Sequence, residues 1–136
     1  MQSSTTSSDP ARVLLVDDNS EMLARTAALL AHDCIIVGAV QDGWSALEAE
    51  RTLHPDVIVL DISMPGMTGL EVVARLKTAG SRAAVVFLTV HNEADVMLAA
   101  RAAGGIGYVL KPRLASDLTI AVREARHGRP FVSTLS

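Results

Sequence analysis

Several things are scarce in this chain of 136 residues, and each scarcity excludes something. It has one cysteine, Cys34, so no internal disulfide can close and no cysteine cluster is available to a metal. Cys34 is followed by Ile35, Ile36 and Val37 and reads as a buried, inert thiol. Aromatics amount to one Trp, one Tyr and two Phe, which leaves the core to aliphatic side chains. There is no basic excess: 12 Lys and Arg stand against 15 Asp and Glu, a net charge of −3. A domain whose main task is to hold nucleic acid needs a basic face to neutralise phosphates, so that class is disfavoured. No apolar run approaches the length that spans a membrane. The opening Gln-Ser-Ser-Thr-Thr-Ser-Ser lacks the apolar centre of a signal peptide, so residues 1–10 read as a disordered tail and the cytoplasm as the expected compartment.

What is present is a chain 49% hydrophobic, rich in Ala, Val and Leu, and of the length of one domain. It alternates short apolar runs with segments of helical spacing. The runs are Arg12–Val16, Cys34–Val40, Val57–Asp61, Ala84–Leu88 and Ile106–Leu110. Between and after them, helices are expected from Asn19 or Ser20 to about Ala31, Trp44 to Leu53, Thr68 or Gly69 to Lys77, Glu93 to Ala103, and Ala115 to His127. Such alternation implies a parallel sheet with right-handed crossovers and helices on both faces. The central run, Val57-Ile58-Val59-Leu60, ends in Asp61 and a Pro/Gly-punctuated loop, as a strand buried on both faces does. Taken alone, Asp61 reads equally well as a reactive carboxylate or as a turn and capping residue.

The other runs end in a pattern. The first is followed by Asp17-Asp18, the fourth by Thr89 and the fifth by Lys111. Parallel strands point one way, so these residues share one sheet edge with Asp61. With strand order 2-1-3-4-5, the topology reverses beside strands one and three, where a crevice forms. Clustered carboxylates require protons or a cation. An all-carboxylate donor set favours Mg²⁺ (or Mn²⁺), which keeps waters and bridges to phosphate. Lys111 and Thr89 suit phosphoryl oxygens, and a carboxylate attacking phosphorus gives an acyl phosphate. Capping for Asp17-Asp18, a surface amine for Lys111 and a strand-end hydroxyl for Thr89 are the alternatives for each residue singly.

Four motifs, Leu15-Val16-Asp17-Asp18, Val59 through Gly69, Phe87-Leu88-Thr89 and Gly107-Tyr108-Val109-Leu110-Lys111-Pro112, together resemble the receiver domain of two-component response regulators. The resemblance covers about Arg12 to Gly128. It implies a flavodoxin-like (βα)5 three-layer sandwich with a five-stranded parallel sheet, a domain over residues 11–128, and the start of a linker over 129–136. By position, Asp61 resembles the phosphoacceptor, while Asp17 and Asp18 resemble the acidic pair that holds Mg²⁺. The backbone carbonyl of Ser63 resembles a further metal ligand. Thr89 and Tyr108 resemble the switch pair, Lys111 the phosphoryl-contacting lysine, and Lys111–Pro112 a cis peptide bond.

The resemblance further implies a sensor histidine kinase or phosphotransfer protein as partner and phosphorylation-dependent homodimerisation. The stretch Gly128-Arg129-Pro130-Phe131-Val132-Ser133 looks like the passage toward a LuxR-type helix-turn-helix domain, so DNA is expected as a partner only through a region outside this chain. A stand-alone receiver acting in a phosphorelay or by protein contact is the alternative. A phosphatase with an aspartyl-phosphate intermediate is a weaker rival, because its general acid would fall on Ser63. A pseudo-receiver without chemistry is disfavoured by the full acidic set with Thr89 and Lys111. Of the four histidines, only His91, two residues past Thr89, falls near the expected pocket, and a solvated loop residue is the more ordinary reading.

Overall fold

The computed structural model describes residues 9–134. The tail expected over residues 1–10 therefore lies almost wholly outside the described residues. Strands β1 (Ala11–Val16), β2 (Cys34–Val40), β3 (Val57–Asp61), β4 (Ala84–Thr89), β5 (Gly107–Leu110) and β6 (Phe131–Val132) alternate with helices α1 (Ser20–Leu30), α2 (Gly43–Leu53), α3 (Gly69–Thr78), α4 (Ala94–Ala103) and α5 (Leu114–Arg126). The sheet is parallel throughout, in the order β2-β1-β3-β4-β5-β6.

Strand periodicity divides the apolar side chains between two cores. Leu14, Val16, Ile58, Leu60, Val85 and Phe87 face one layer, where Ala46, Val72, Val73, Leu76 and Ala100 of α2, α3 and α4 meet them. Val13, Leu15, Val57, Val59, Val86 and Leu88 face the other, against Leu23 and Leu30 of α1 and Leu118, Ala121, Val122 and Ala125 of α5. All five residues of β3 are buried, as a central strand covered on both faces must be. No described helix is long and apolar enough to cross a membrane.

Local chemistry sets the helix starts. Asn19 caps α1 by accepting from the Met22 N–H (3.0 Å), and Asp42 caps α2 by accepting from Ser45 N–H (2.8 Å). Thr68 and Glu71 form a reciprocal capping box on α3. At the end of α4, Gly104 takes φ 117°, a left-handed conformation suited to glycine, and returns its N–H to Ala100 and Arg101 carbonyls.

Two features depart from the sequence reading. A sixth strand, too short to show any periodicity, pairs Phe131 with Gly107 and Val132 with Tyr108. The Lys111–Pro112 bond, expected cis, is trans, and no cis peptide bond occurs among the described residues. Trans is the default for an X–Pro bond by about 0.5–1 kcal/mol. Here Pro112 lies inside a 3₁₀ turn, Lys111–Arg113, whose φ its ring already satisfies.

Candidate functional site

Strand register assembles the site. Val16 of β1 pairs with Leu60 of β3, so the next residues, Asp17 and Asp61, stand side by side. Asp61 pairs with Leu88 of β4, which puts Thr89 one step beyond it. Thr89 pairs with Leu110 of β5, and Lys111 follows directly. Four residues spread over almost a hundred positions of sequence thus meet at one carboxyl edge. Their order across that edge is the order of the strands.

Asp17, Asp18 and Asp61 bring carboxylate oxygens within 4.8 Å of one another. Asp17 and Asp61 are buried, while Asp18 is exposed at the rim. The Asp17 Oδ1 accepts from the Asn19 N–H at 2.9 Å, and the Asp61 Oδ1 accepts from the Ser63 N–H at 3.1 Å. The Lys111 ammonium spans both acids, 3.4 Å from Asp61 Oδ2 and 3.6 Å from Asp17 Oδ2. One cation therefore faces three carboxylates. Burial, and next the negative charge of Asp17, push the Asp61 carboxyl above its ordinary range, while Lys111 and the Ser63 N–H pull it back only in part.

Asp17 Oδ2 is a buried oxygen without a hydrogen-bond partner. Leaving such an atom unsatisfied is costly, and it is usually explained by an ion or water. The excess of carboxylate, the orphaned oxygen and the all-oxygen donor set fit a hard divalent cation such as Mg²⁺ or Mn²⁺.

The backbone around Asp61 admits little change. Ile62 N–H donates to the Leu88 carbonyl (3.1 Å), and Gly69 N–H donates to the Ile62 carbonyl (2.8 Å). A Cβ on Gly69 would stand 2.4 Å from the Asp61 carbonyl oxygen, so the start of α3 abuts the end of β3 only because residue 69 is glycine. The sequence pattern included Gly69 in a motif without showing this role.

Thr89 and Tyr108 are both buried, and both bond to the backbone of His91. The His91 N–H donates to Thr89 Oγ1 at 3.0 Å, and the Tyr108 hydroxyl donates to the His91 carbonyl at 2.9 Å. Burial raises the Tyr108 phenol above its usual range, with the nearby Thr89 hydroxyl acting against it. The His91 imidazole turns elsewhere, to Glu93 at 3.2 Å, and is 43% exposed. Trp44 is 64% exposed on α2 with the Arg75 guanidinium 5.0 Å above its ring.

A further buried acid was not anticipated. Asp117, in the first turn of α5, accepts from Arg113 Nε (3.0 Å), Ser116 Oγ (3.0 Å) and Ser133 Oγ (2.6 Å). Spacing on an amphipathic helix assigns an aspartate to the solvent side, and only the placement of Ser133 reveals otherwise.

Comparison with known proteins gives one consistent result. Residues 13–123 match the family model for the response regulator receiver domain. The chain is similar to the nitrate/nitrite response regulator protein NarL of Escherichia coli K12, 33% identical over 127 residues, covering 92% of this chain and 59% of NarL. It is also similar to the positive alginate biosynthesis regulatory protein of Pseudomonas aeruginosa, 38% identical over 116 residues, covering 83% of this chain and 46% of that protein. The chain thus spans about half the length of these curated relatives. Among solved structures, a LuxR-family two-component response regulator from Aurantimonas superposes with a TM-score of 0.86 at 27% identity, covering 90% of this chain and 89% of that one. The signal receiver domain of the putative response regulator NarL from Mycobacterium tuberculosis superposes with a TM-score of 0.81 at 31% identity, covering 89% and 99%.

Proposed function

Because this chain belongs to the response regulator receiver family, we propose that Asp61 accepts a phosphoryl group from a phosphohistidine of a sensor kinase or phosphotransfer partner. The observation that carries this reading is the buried, cation-deficient edge at which Asp61, the orphaned Asp17 Oδ2 and Lys111 converge. In the transfer, an Asp61 carboxylate oxygen forms a bond to phosphorus as the bond between phosphorus and the donor imidazole nitrogen breaks. The imidazole leaves with the electron pair. Little covalent chemistry is asked of the protein beyond positioning and charge neutralisation.

Asp17, Asp18, Asp61 and the Ser63 carbonyl are the residues that would hold Mg²⁺ or Mn²⁺. Bound there, the ion offsets the carboxylate excess and the charge of the phosphoryl oxygens. The Ser63 N–H fixes one Asp61 oxygen, so the carboxylate is oriented before the donor arrives. Lys111, already 3.4 Å from Asp61 Oδ2, is placed to contact the added dianion. Thr89 follows toward the new charge, and Tyr108 stays packed inward behind it. The modification thereby selects one of two conformations of the surface built by α4, β5 and α5.

We further propose a cytoplasmic role in transcriptional control, in line with the regulatory names of the relatives above, with DNA contacted by a region outside this chain and with dimerisation following phosphorylation. The chain acts as a phosphoacceptor rather than as a conventional enzyme. Incubation with Mg²⁺ and acetyl phosphate or a phosphohistidine donor, followed by mapping of the label, tests the central claim. Label is expected on Asp61, and undiminished labelling of Asp61→Asn overturns the assignment.

A further inference from the structure

The two-residue strand β6 lies at the edge of the sheet beside β5. Beside the pairing of Gly107 with Phe131 and Tyr108 with Val132, the Phe131 N–H donates to the Ile106 carbonyl (3.2 Å) and the Ser133 N–H to the Tyr108 carbonyl (2.8 Å). So short a strand does not repay the entropy of ordering the residues around it. Phe131 and Val132 pack on the two cores, and a side chain adds a further hold: Ser133 Oγ donates to Asp117 Oδ2 at 2.6 Å, with Ser133 and Asp117 both buried. Arg113 and Ser116 complete the partners of that carboxylate.

The partners of this clasp lead back to the candidate site by two routes. One is β5 itself, since the residue opposite Val132 is Tyr108, and the Val132 side chain packs against the core that contains Tyr108 and Phe87. The other is the 3₁₀ turn Lys111–Arg113. Lys111 at its start reaches Asp61, and Arg113 at its end reaches Asp117.

We propose that Asp117 and Ser133 are positioning residues that clasp β6 to the switch strand β5, so that the setting of Tyr108 and Lys111 controls how tightly the C-terminal segment is held. The inference rests on the reading of Asp61 as phosphoacceptor. Modification that draws Lys111 and Thr89 toward the new charge fixes Tyr108 in its packed position behind them and strengthens the clasp, and the segment after Val132 is held more firmly. By linkage, loosening the clasp weakens binding of a phosphoryl mimic at Asp61 by the same factor.

The test uses the whole chain, with Mg²⁺ and beryllium fluoride as the probe. Fluorine NMR reports occupancy at Asp61, and amide hydrogen exchange reports on Phe131 and Ser133. Bound beryllium fluoride is expected to slow Ser133 amide exchange by roughly fivefold or more, the lower end of ordinary coupling. Ser133→Ala is expected to accelerate β6 exchange in the resting protein, to abolish that response, and to weaken the probe's affinity by the same factor. Ser133→Thr, which keeps the hydroxyl, restores the response. If the probe binds wild type but β6 exchange does not change, or if Ser133→Ala binds it as tightly as wild type, the coupling is overturned while the Asp61 reading stands. If no probe binds wild type, the Asp61 reading falls and the coupling falls with it.

Discussion

Asp61 and Asp117 are both aspartates with almost no solvent exposure, 4% and 6%, yet their surroundings shift the two carboxyls in opposite directions from the ordinary value. Asp61 sits at the end of a central strand with another buried acid at its side and a shared lysine, and its carboxyl is pushed up by burial and then by Asp17. Asp117 sits in a helix first turn, where burial also pushes up but is outweighed by hydrogen bonds from Arg113, Ser133 and Ser116. Burial alone therefore does not set the state of a carboxylate; the balance of donors does. An acid given all its donors holds the fold together. An acid left short of donors, beside an oxygen with none, fits the cation and the phosphoryl chemistry proposed for this edge.

The comparison can be broken most sharply by exchanging each acid for its amide. Asp61→Asn is expected to lose phosphoryl labelling altogether while keeping the fold, whereas Asp117→Asn keeps labelling; mass mapping after acetyl phosphate treatment reads both. Stability should move the other way. Asp117→Ala leaves Arg113 and Ser133 without their partner and is expected to cost about 2–4 kcal/mol. Asp61→Asn removes one of the crowded charges and is expected to stabilise by about 1 kcal/mol, roughly 3–5 °C in thermal melting.

Gly69→Ala probes the framework instead of the charge. A methyl group 2.4 Å from the Asp61 carbonyl oxygen forces backbone apart, with an expected loss of about 1–3 kcal/mol and slower labelling in a timed assay. The pH dependence separates the two acids without any substitution. Asp61 binds its proton more tightly folded than unfolded, so its contribution to stability falls as pH rises from its ordinary value through the raised folded one. Above the raised folded value that penalty is fully present. Asp117 binds its proton less tightly when folded, so its contribution is present above the ordinary carboxylate value and is lost as pH falls through the lowered one.

A metal-dependent effect follows from the same difference. Mg²⁺ at ten times its dissociation constant should stabilise the wild-type protein by about 1.4 kcal/mol at pH 7, and less at pH 4, where protons compete. Asp61→Asn should lose most of that gain, and Asp117→Asn should retain it. Melting curves with and without Mg²⁺ at both pH values check the order.

What could be read without coordinates was whatever repeats or ends abruptly. The strand and helix sequence emerged from apolar runs and helical spacing, with boundaries within a few residues of the observed ones. Asp17, Thr89 and Lys111 were legible because a residue placed just after a buried parallel strand has only one edge to occupy. Asp117 was not legible, because its partner Ser133 lies 16 residues away, just after a strand of two residues that is too short to carry a period. The trans Lys111–Pro112 bond was equally hidden, since a motif fixes neither isomer and the trans preference is small. The position of Gly69 was recorded in the motif, but the contact it permits depends on how closely α3 approaches β3.

The sequence by itself determined the layering, the family and the residues delivered to the carboxyl edge of the sheet, because periodicity and strand direction are local properties of the chain. Which oxygen is left without a donor, which acid is satisfied and how the last strand is tied to Tyr108 were decided only by tertiary structure. Those properties depend on distances between residues far apart in sequence, and no local pattern encodes them.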